Sequence, residues 1–444
     1  MADYEEFCTG QPVDPSALNR HDSSSKQRRW KLQKLARQVH AGSTAPSELA
    51  PVLVPYIADA ATLHGAWGVR ERRGRKAPGP DGVQYGDFVG EHRWEACRIL
   101  QGRILSGEYR SRPERVVRFP KAGGIGTRPI VLTSILDRVV HHAIADTLGP
   151  FVDPKLDPHS CGYRSKRDRR QALAAAVLYT GRDARSFWVT ADIRNAFEHI
   201  RIPRLLDVVR KWFPDDRLIE LIDRCLRRPG LNESNGRGLR QGSCLSPLLM
   251  NIYFDHFIDK PWRKKHPDVP MLRYADDLLI LATSQRLAER CFDDLKTMLE
   301  PNGLALKNPK AAGSIWNLDA DPCPRVPWLG FCIWKHRRGL GVKPAPQSYD
   351  RFAEKLAKVH EFDNPSVRVY RSVEGWFGQL GPCHPWTKSG IVYSKIASRC
   401  REAGFDEIPD LEKVNAIWNN AYEQWQAVQV SVVGALSPAN RAAP

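Results

Sequence analysis

Apolar and polar positions recur along this chain with a period that changes from one stretch to the next. Leu32, Leu35 and Val39 stand at helical spacing within residues 20–40, which predicts a helix with one face on the body of the protein. From about 56 to 334, helical segments alternate with short β-rich runs, a texture that predicts an α+β body. Beyond Pro344, Phe352, Leu356 and Val359, and later Ile408, Leu411, Val414, Ile417 and Trp418, return to helical spacing. They predict a separate helical domain over 345–430. A Pro- and Ser-bearing stretch at 43–55 reads as a loop or linker, and 431–444 as a frayed tail. The expected organisation is therefore an extension over 1–55, a body over 56–344, a helical domain over 345–430 and the tail.

Charge narrows the function. Sixty-seven Lys and Arg stand against fifty Asp and Glu in 444 residues, a formal charge of +17, which points to a polyanionic partner. Seven of the basic residues fall within 20–40, where they give the predicted helix a basic face. No run of about 18 apolar residues occurs, and the opening MADYEEFCTG has neither the basic flank nor the apolar run of a signal peptide. A cytoplasmic protein without a membrane partner is expected. The ten cysteines include no C-x-x-C pair and read as reduced packing residues.

Candidate chemistry lies in carboxylates. The run MLRYADDLLIL at 271–281 reads as a hairpin with Asp276 and Asp277 at its tip. Two adjacent carboxylates repel each other unless a cation or solvent screens them. An Asp-Asp turn alone is also common as plain turn chemistry. A second β-rich run, SFWVTAD at 186–192, delivers Asp192 ahead of a stretch that begins a helix. One strand with one carboxylate beside a hairpin with two makes an all-oxygen site suited to Mg²⁺, and two such ions suit in-line phosphoryl displacement. A third piece, RGLRQGSCLSP at 237–247, leads a glycine-bearing loop into a helix. Gly242 there allows close backbone approach to a base or sugar, and Gln241 offers a donor and an acceptor near a template base.

Taken in order, five motifs resemble those of reverse transcriptases, more narrowly the group II intron and related bacterial branch. They are Asp192 with Ala196-Phe197, then QGSCLSP at 241–247, YADD at 274–277, GLAL at 303–306 with Lys310, and WLGF at 328–331. The resemblance covers roughly 70–385. It implies a right-hand polymerase of the α+β class, with fingers and palm over 56–344 and a helical thumb over 345–430. It also implies an RNA-directed DNA polymerase that takes an RNA template and deoxynucleoside triphosphates, makes a DNA product and uses two Mg²⁺ ions.

The same resemblance assigns roles. Asp192, Asp276 and Asp277 become the catalytic, metal-holding carboxylates, with the backbone carbonyl of Ile193 an extra ligand. Lys121 and Arg128, at either end of a glycine turn, fall on the nucleotide triphosphate, or are exposed loop charges. Phe197 stands where RNA-synthesising relatives carry an aspartate. Its ring would exclude a ribose 2′-hydroxyl, or it is simply core. Lys310 matches a lysine able to protonate pyrophosphate, with Lys307 close enough to compete. Arg164, in GYRS at 162–165, resembles a template contact, and Tyr274 is either beside the primer terminus or core. The C-terminal region shows no paired Cys and His of a nuclease domain. A stand-alone enzyme copying a dedicated noncoding RNA in anti-phage defence is expected, with an intron maturase as the alternative. Oligomeric state is not legible.

Overall fold

The computed structural model describes residues 25–74, 77–120, 127–227 and 236–436. The chain forms two compact units. One comprises the described residues of Met1–Asp157 with Asn195–Ile258 and Pro301–Leu304; the other comprises Pro158–Arg194, Asp259–Glu300 and the described residues of Ala305–Pro444.

The first unit is mainly helical. Helix Ser25–His40 buries Leu32, Leu35 and Val39, as their spacing predicts, and Arg28 makes a buried 2.5 Å ion pair with Asp59. This helix and helix Ala60–Gly74 pack on helix Ile135–Val152, whose Val139, Val140, Ala143, Ile144 and Leu148 are buried at helical spacing. Strands β1 (Arg115–Pro120) and β2 (Thr127–Leu132) pair antiparallel. Lys121 lies outside the described residues; Arg128 stands in β2 opposite Phe119, and its side chain lies outside them too.

Two expectations need correction. Residues 43–55 are not a loop: a 3₁₀ turn Pro46–Leu49 leads into helix Ala50–Ala58. Pro51 sits in the first turn, where its missing N–H costs nothing, and burial of Val52, Leu53, Val54 and Ile57 outweighs the interior Pro55. The tail also begins later than expected, because helix Leu411–Ala435 continues past 430 with Val432 buried.

The second unit is built on β3 (Phe187–Asp192), β4 (Met271–Tyr274), β5 (Asp277–Ala282) and β6 (Ile315–Asn317), ordered β4-β5-β3-β6 and antiparallel throughout. β5 is interior, and Leu278 to Ala282 are all buried. A second sheet joins β7 (Val326–Trp328), β8 (Phe331–His336) and β9 (Gly339–Pro344). The C-terminal segment is helical as expected, but it has no core of its own. Phe352 and Leu356, then Val369, Val373 and Phe377, then Val414, Trp418 and Trp425 join Trp188, Leu279 and Phe331 of the two sheets in one apolar cluster. Among the described residues, no helix is long and apolar enough to cross a membrane.

One glycine in this core admits no side chain. A Cβ on Gly381 would stand 2.0 Å from the Ala421 carbonyl oxygen and 2.9 Å from the Trp425 Cβ, whereas one on Gly390 would meet nothing within 4 Å. Gly381→Ala is expected to lower the free energy of unfolding by about 2–3 kcal/mol. Gly390→Ala is expected to leave it unchanged or raise it by up to ~1 kcal/mol. Urea melts of the two variants check both.

Candidate active site

The carboxylates are brought together by strand register. β3 and β5 pair so that Asp192 stands directly opposite Asp277, and β4 pairs with β5 so that Tyr274 stands opposite Asp277. The hairpin forms as its pattern predicts, but only Ala275 and Asp276 make the turn; Asp277, expected at the tip, is the first residue of β5. Ala275 has a φ of +60°, the left-handed conformation that such short turns require. The Asp276 carbonyl accepts from the Ile193 N–H at 3.1 Å, and the Asp192 carbonyl from the Lys307 N–H at 2.8 Å. The segment after 304 is thereby pinned beside the strand end.

These carboxylates are electrostatically crowded. Burial, then the charges of Asp192 and Asp276, push the Asp277 carboxyl from 3.8 up to about 7, against smaller opposing effects of Lys307 and Arg351. Among the described residues, no group of three or more His, Cys, Asp or Glu is arranged to hold a metal ion, so the three carboxylates interact without forming a finished cage. Their chemistry nevertheless fits a hard divalent cation: the donors are all oxygen, and a cation would relieve the repulsion that now favours a proton on Asp277.

Asp192, Asp277 and Tyr274 line a cleft of about 1020 Å³. Its walls include Lys307, Arg351 and Lys355 of helix Pro346–Ala357, and Arg371 of helix Pro365–Phe377. Arg169 also lines it; its guanidinium donates to the Leu329 carbonyl at 3.1 Å and lies over the Phe331 ring at 4.5 Å. The turn it braces carries Leu329 and Gly330 at positive φ. A wall of cations facing carboxylates suits a phosphodiester backbone laid against the reacting groups.

In the first unit the glycine loop is tied to β2 and to the short helix Ala196–His199. The Gln241 carbonyl accepts from the Val131 N–H at 2.8 Å, and the Phe197 carbonyl from the Leu239 N–H at 2.7 Å. Gly242 has a φ of +112°, and a Cβ there would lie 3.0 Å from the Val131 oxygen. Glycine is thus demanded by backbone packing, whatever approaches its exposed side. Beneath the loop, Arg240 is buried on Glu114 and on the carbonyls of Cys225 and Arg227. Ser243 bonds His141 at 3.1 Å, and burial holds that imidazole neutral, lowered to about 3. Phe197 is half-buried rather than sealed in core.

Residues 119–333 match the family model described as reverse transcriptase (RNA-dependent DNA polymerase). The matched segment, just under half of this chain, is a reverse transcriptase domain. Protein YkfC of Escherichia coli is 26% identical over 60% of this chain and 76% of its own length. An uncharacterised 91 kDa protein in the cob intron of Schizosaccharomyces pombe is 30% identical over 36% of this chain. The group II intron-encoded protein LtrA of Lactococcus lactis is 29% identical over 37% of it. The chain spans only 20% and 27% of the lengths of the two intron proteins. The matched reverse transcriptase segment contains Asp192, Phe197, Gln241, Asp276 and Asp277.

Some of the expected contacts lie elsewhere in the structure. Arg164 is 8% exposed, and its guanidinium donates to the Ser160 carbonyl at 2.8 Å. It braces the chain while Tyr163, Ser165 and Lys166 are the exposed residues of that turn. Lys307 lines the cleft with Asp192 and Asp277, while Lys310 is exposed and outside the cleft lining. Tyr274 packs on the apolar cluster and also lines the cleft. Arg351 and Lys355 went unremarked in sequence, where they are two charges among many on an amphipathic helix.

Because folding raises the Asp277 pKa, the folded chain holds the extra proton between roughly pH 4 and pH 7. This contribution to stability is therefore lost as pH rises through that window. Asp277→Asn should melt progressively higher than the parent as pH rises from 4 to 8, and Mg²⁺ at pH 8 should narrow the gap by stabilising the parent alone. Parallel melting curves at every pH would contradict the electrostatic account.

Proposed function

We propose that this chain copies an RNA template into DNA, with Asp192, Asp276 and Asp277 as the catalytic carboxylates. The observation that carries the reading is the set of crowded carboxylates at a strand end and a two-residue turn, opening on a cleft walled by Lys and Arg. Mg²⁺ is the cation this donor set suits; the three carboxylates and the Ile193 carbonyl would hold it, and two such ions would supply Lewis-acid stabilisation to an attacking 3′-hydroxyl and a leaving pyrophosphate.

The chain's own residues do the rest. Phe197 excludes a 2′-hydroxyl by its bulk and offers that hydroxyl no partner, so deoxynucleotides are selected. Lys121 and Arg128 neutralise the triphosphate. Gln241 and Gly242 meet the templating pair, and Tyr274 presents its ring at the cleft. A lysine after the glycine turn at 303, Lys307 or Lys310, supplies a proton toward pyrophosphate. Lys307 is favoured because it lines the cleft. The basic walls hold the nucleic acid and make binding salt-sensitive.

The template defines the wider role. The first reading is a dedicated noncoding RNA copied in anti-phage defence; the alternative, favoured by the relatives named for introns, is an intron RNA. Sequencing the nucleic acid bound to the protein separates the two. An RNA encoded beside the gene, with complementary DNA that disappears in Asp276→Asn, supports the first; an intron RNA whose splicing survives in that variant supports the second.

Two outcomes test the chemistry. In primer extension on RNA, Asp276→Asn and Asp277→Asn should each lower synthesis by at least about 10³-fold while RNA binding persists; normal DNA synthesis by both would sink the assignment. Phe197→Ala should relax discrimination against ribonucleotides by about 10²-fold, and unchanged selectivity would remove its role.

A further inference from the structure

We infer that Arg273 is a positioning residue for Asp276: its buried guanidinium, anchored on Asp259, holds the carboxylate turn in its left-handed conformation. The inference rests on the proposed active site and concerns a residue to which the mechanism gives no part. Arg273 is fully buried and Asp259 is 5% exposed. Nε donates to both Asp259 oxygens at 2.8 and 3.1 Å, Nη2 to one of them at 2.5 Å, and Nη1 turns back to the Ala275 carbonyl at 3.3 Å. One planar fork thus joins the helical turn ending at Asp259 to the first residue of the carboxylate turn.

The turn is held from other sides as well. The Arg273 N–H donates to the His159 carbonyl at 3.0 Å, and its carbonyl accepts from the Cys161 N–H at 2.8 Å. A Cβ on Gly162 would stand 2.2 Å from the Ala275 nitrogen, so backbone presses on the turn there. Ala275, not glycine, occupies φ +60°; its Cβ disfavours that conformation, and the carbonyl bond from Arg273 opposes relaxation. Lysine could keep the charge on Asp259 but cannot bond it through two nitrogens while also reaching the Ala275 carbonyl.

The test uses the full chain, with Mn²⁺ as the metal probe followed by electron paramagnetic resonance, primer extension on RNA, and thermal melting. Arg273→Lys should weaken Mn²⁺ binding and lower kcat by about 10-fold or more, with the nucleotide KM within about twofold. Adding Ala275→Gly, which removes the Cβ penalty at positive φ, should recover much of both losses. A lower melting temperature with unchanged Mn²⁺ affinity and kcat in the folded variant would show a merely structural pair and overturn the inference. Should Arg273→Lys not fold, Asp259→Asn is read in the same way. Asp276→Asn serves as control: if it polymerises like the parent, the active-site reading fails; if it is inactive and Arg273→Lys is normal, only the positioning role fails.

Discussion

The register between β3 and β5 is the constraint on which the candidate site depends. Successive side chains of a strand point to opposite faces, so a slip of one residue would turn Asp192 away from Asp277 and expose the apolar set of β5 at once. Burial of Leu278, Leu279, Ile280 and Leu281 therefore stabilises the carboxylate pairing indirectly. The core fixes the register, and the register brings like charges together. The repulsion that results is visible as the raised Asp277 pKa. It is tolerated because the same strands contribute far more in buried apolar surface than the crowding costs.

The surroundings of those carboxylates are assembled from distant parts of one unit. The two sheets and the C-terminal helices share a continuous apolar cluster, so the basic side chains of helices Pro346–Ala357 and Pro365–Phe377 are carried on a rigid wall. Arg169 braces the Leu329-Gly330 turn from another element. A cleft built this way can present cations to a phosphate backbone without each paying separately in side-chain ordering.

Buried arginines recur as internal braces. Arg240 fastens the base of the glycine loop, Arg273 the carboxylate turn, and Arg164 the backbone at Ser160. All three lie in or beside motifs that sequence reading associates with nucleic acid, yet their guanidinium groups are spent on carbonyls and carboxylates. A basic residue in such a motif is consequently poor evidence of a phosphate contact until its burial is known.

Much was legible in the sequence because it depends on local pattern. The hairpin that carries Asp276 in its turn and Asp277 at the start of its second strand, the strand ending in Asp192, the buried face of helix Ser25–His40 and the helical C-terminal segment all follow in outline from period and turn chemistry, although the pattern alone put both hairpin carboxylates at the tip. Helix Ala50–Ala58 was hidden because its prolines argue locally for a loop, and only burial against other helices overrules them. Tertiary structure alone decided that Arg164 turns inward and that Lys307 lines the cleft while Lys310 does not. It alone joined the C-terminal helices to the core of the sheets. Each of these outcomes turns on contacts between residues far apart in the chain, and side chains of the same type at neighbouring positions differ only in what the fold brings against them.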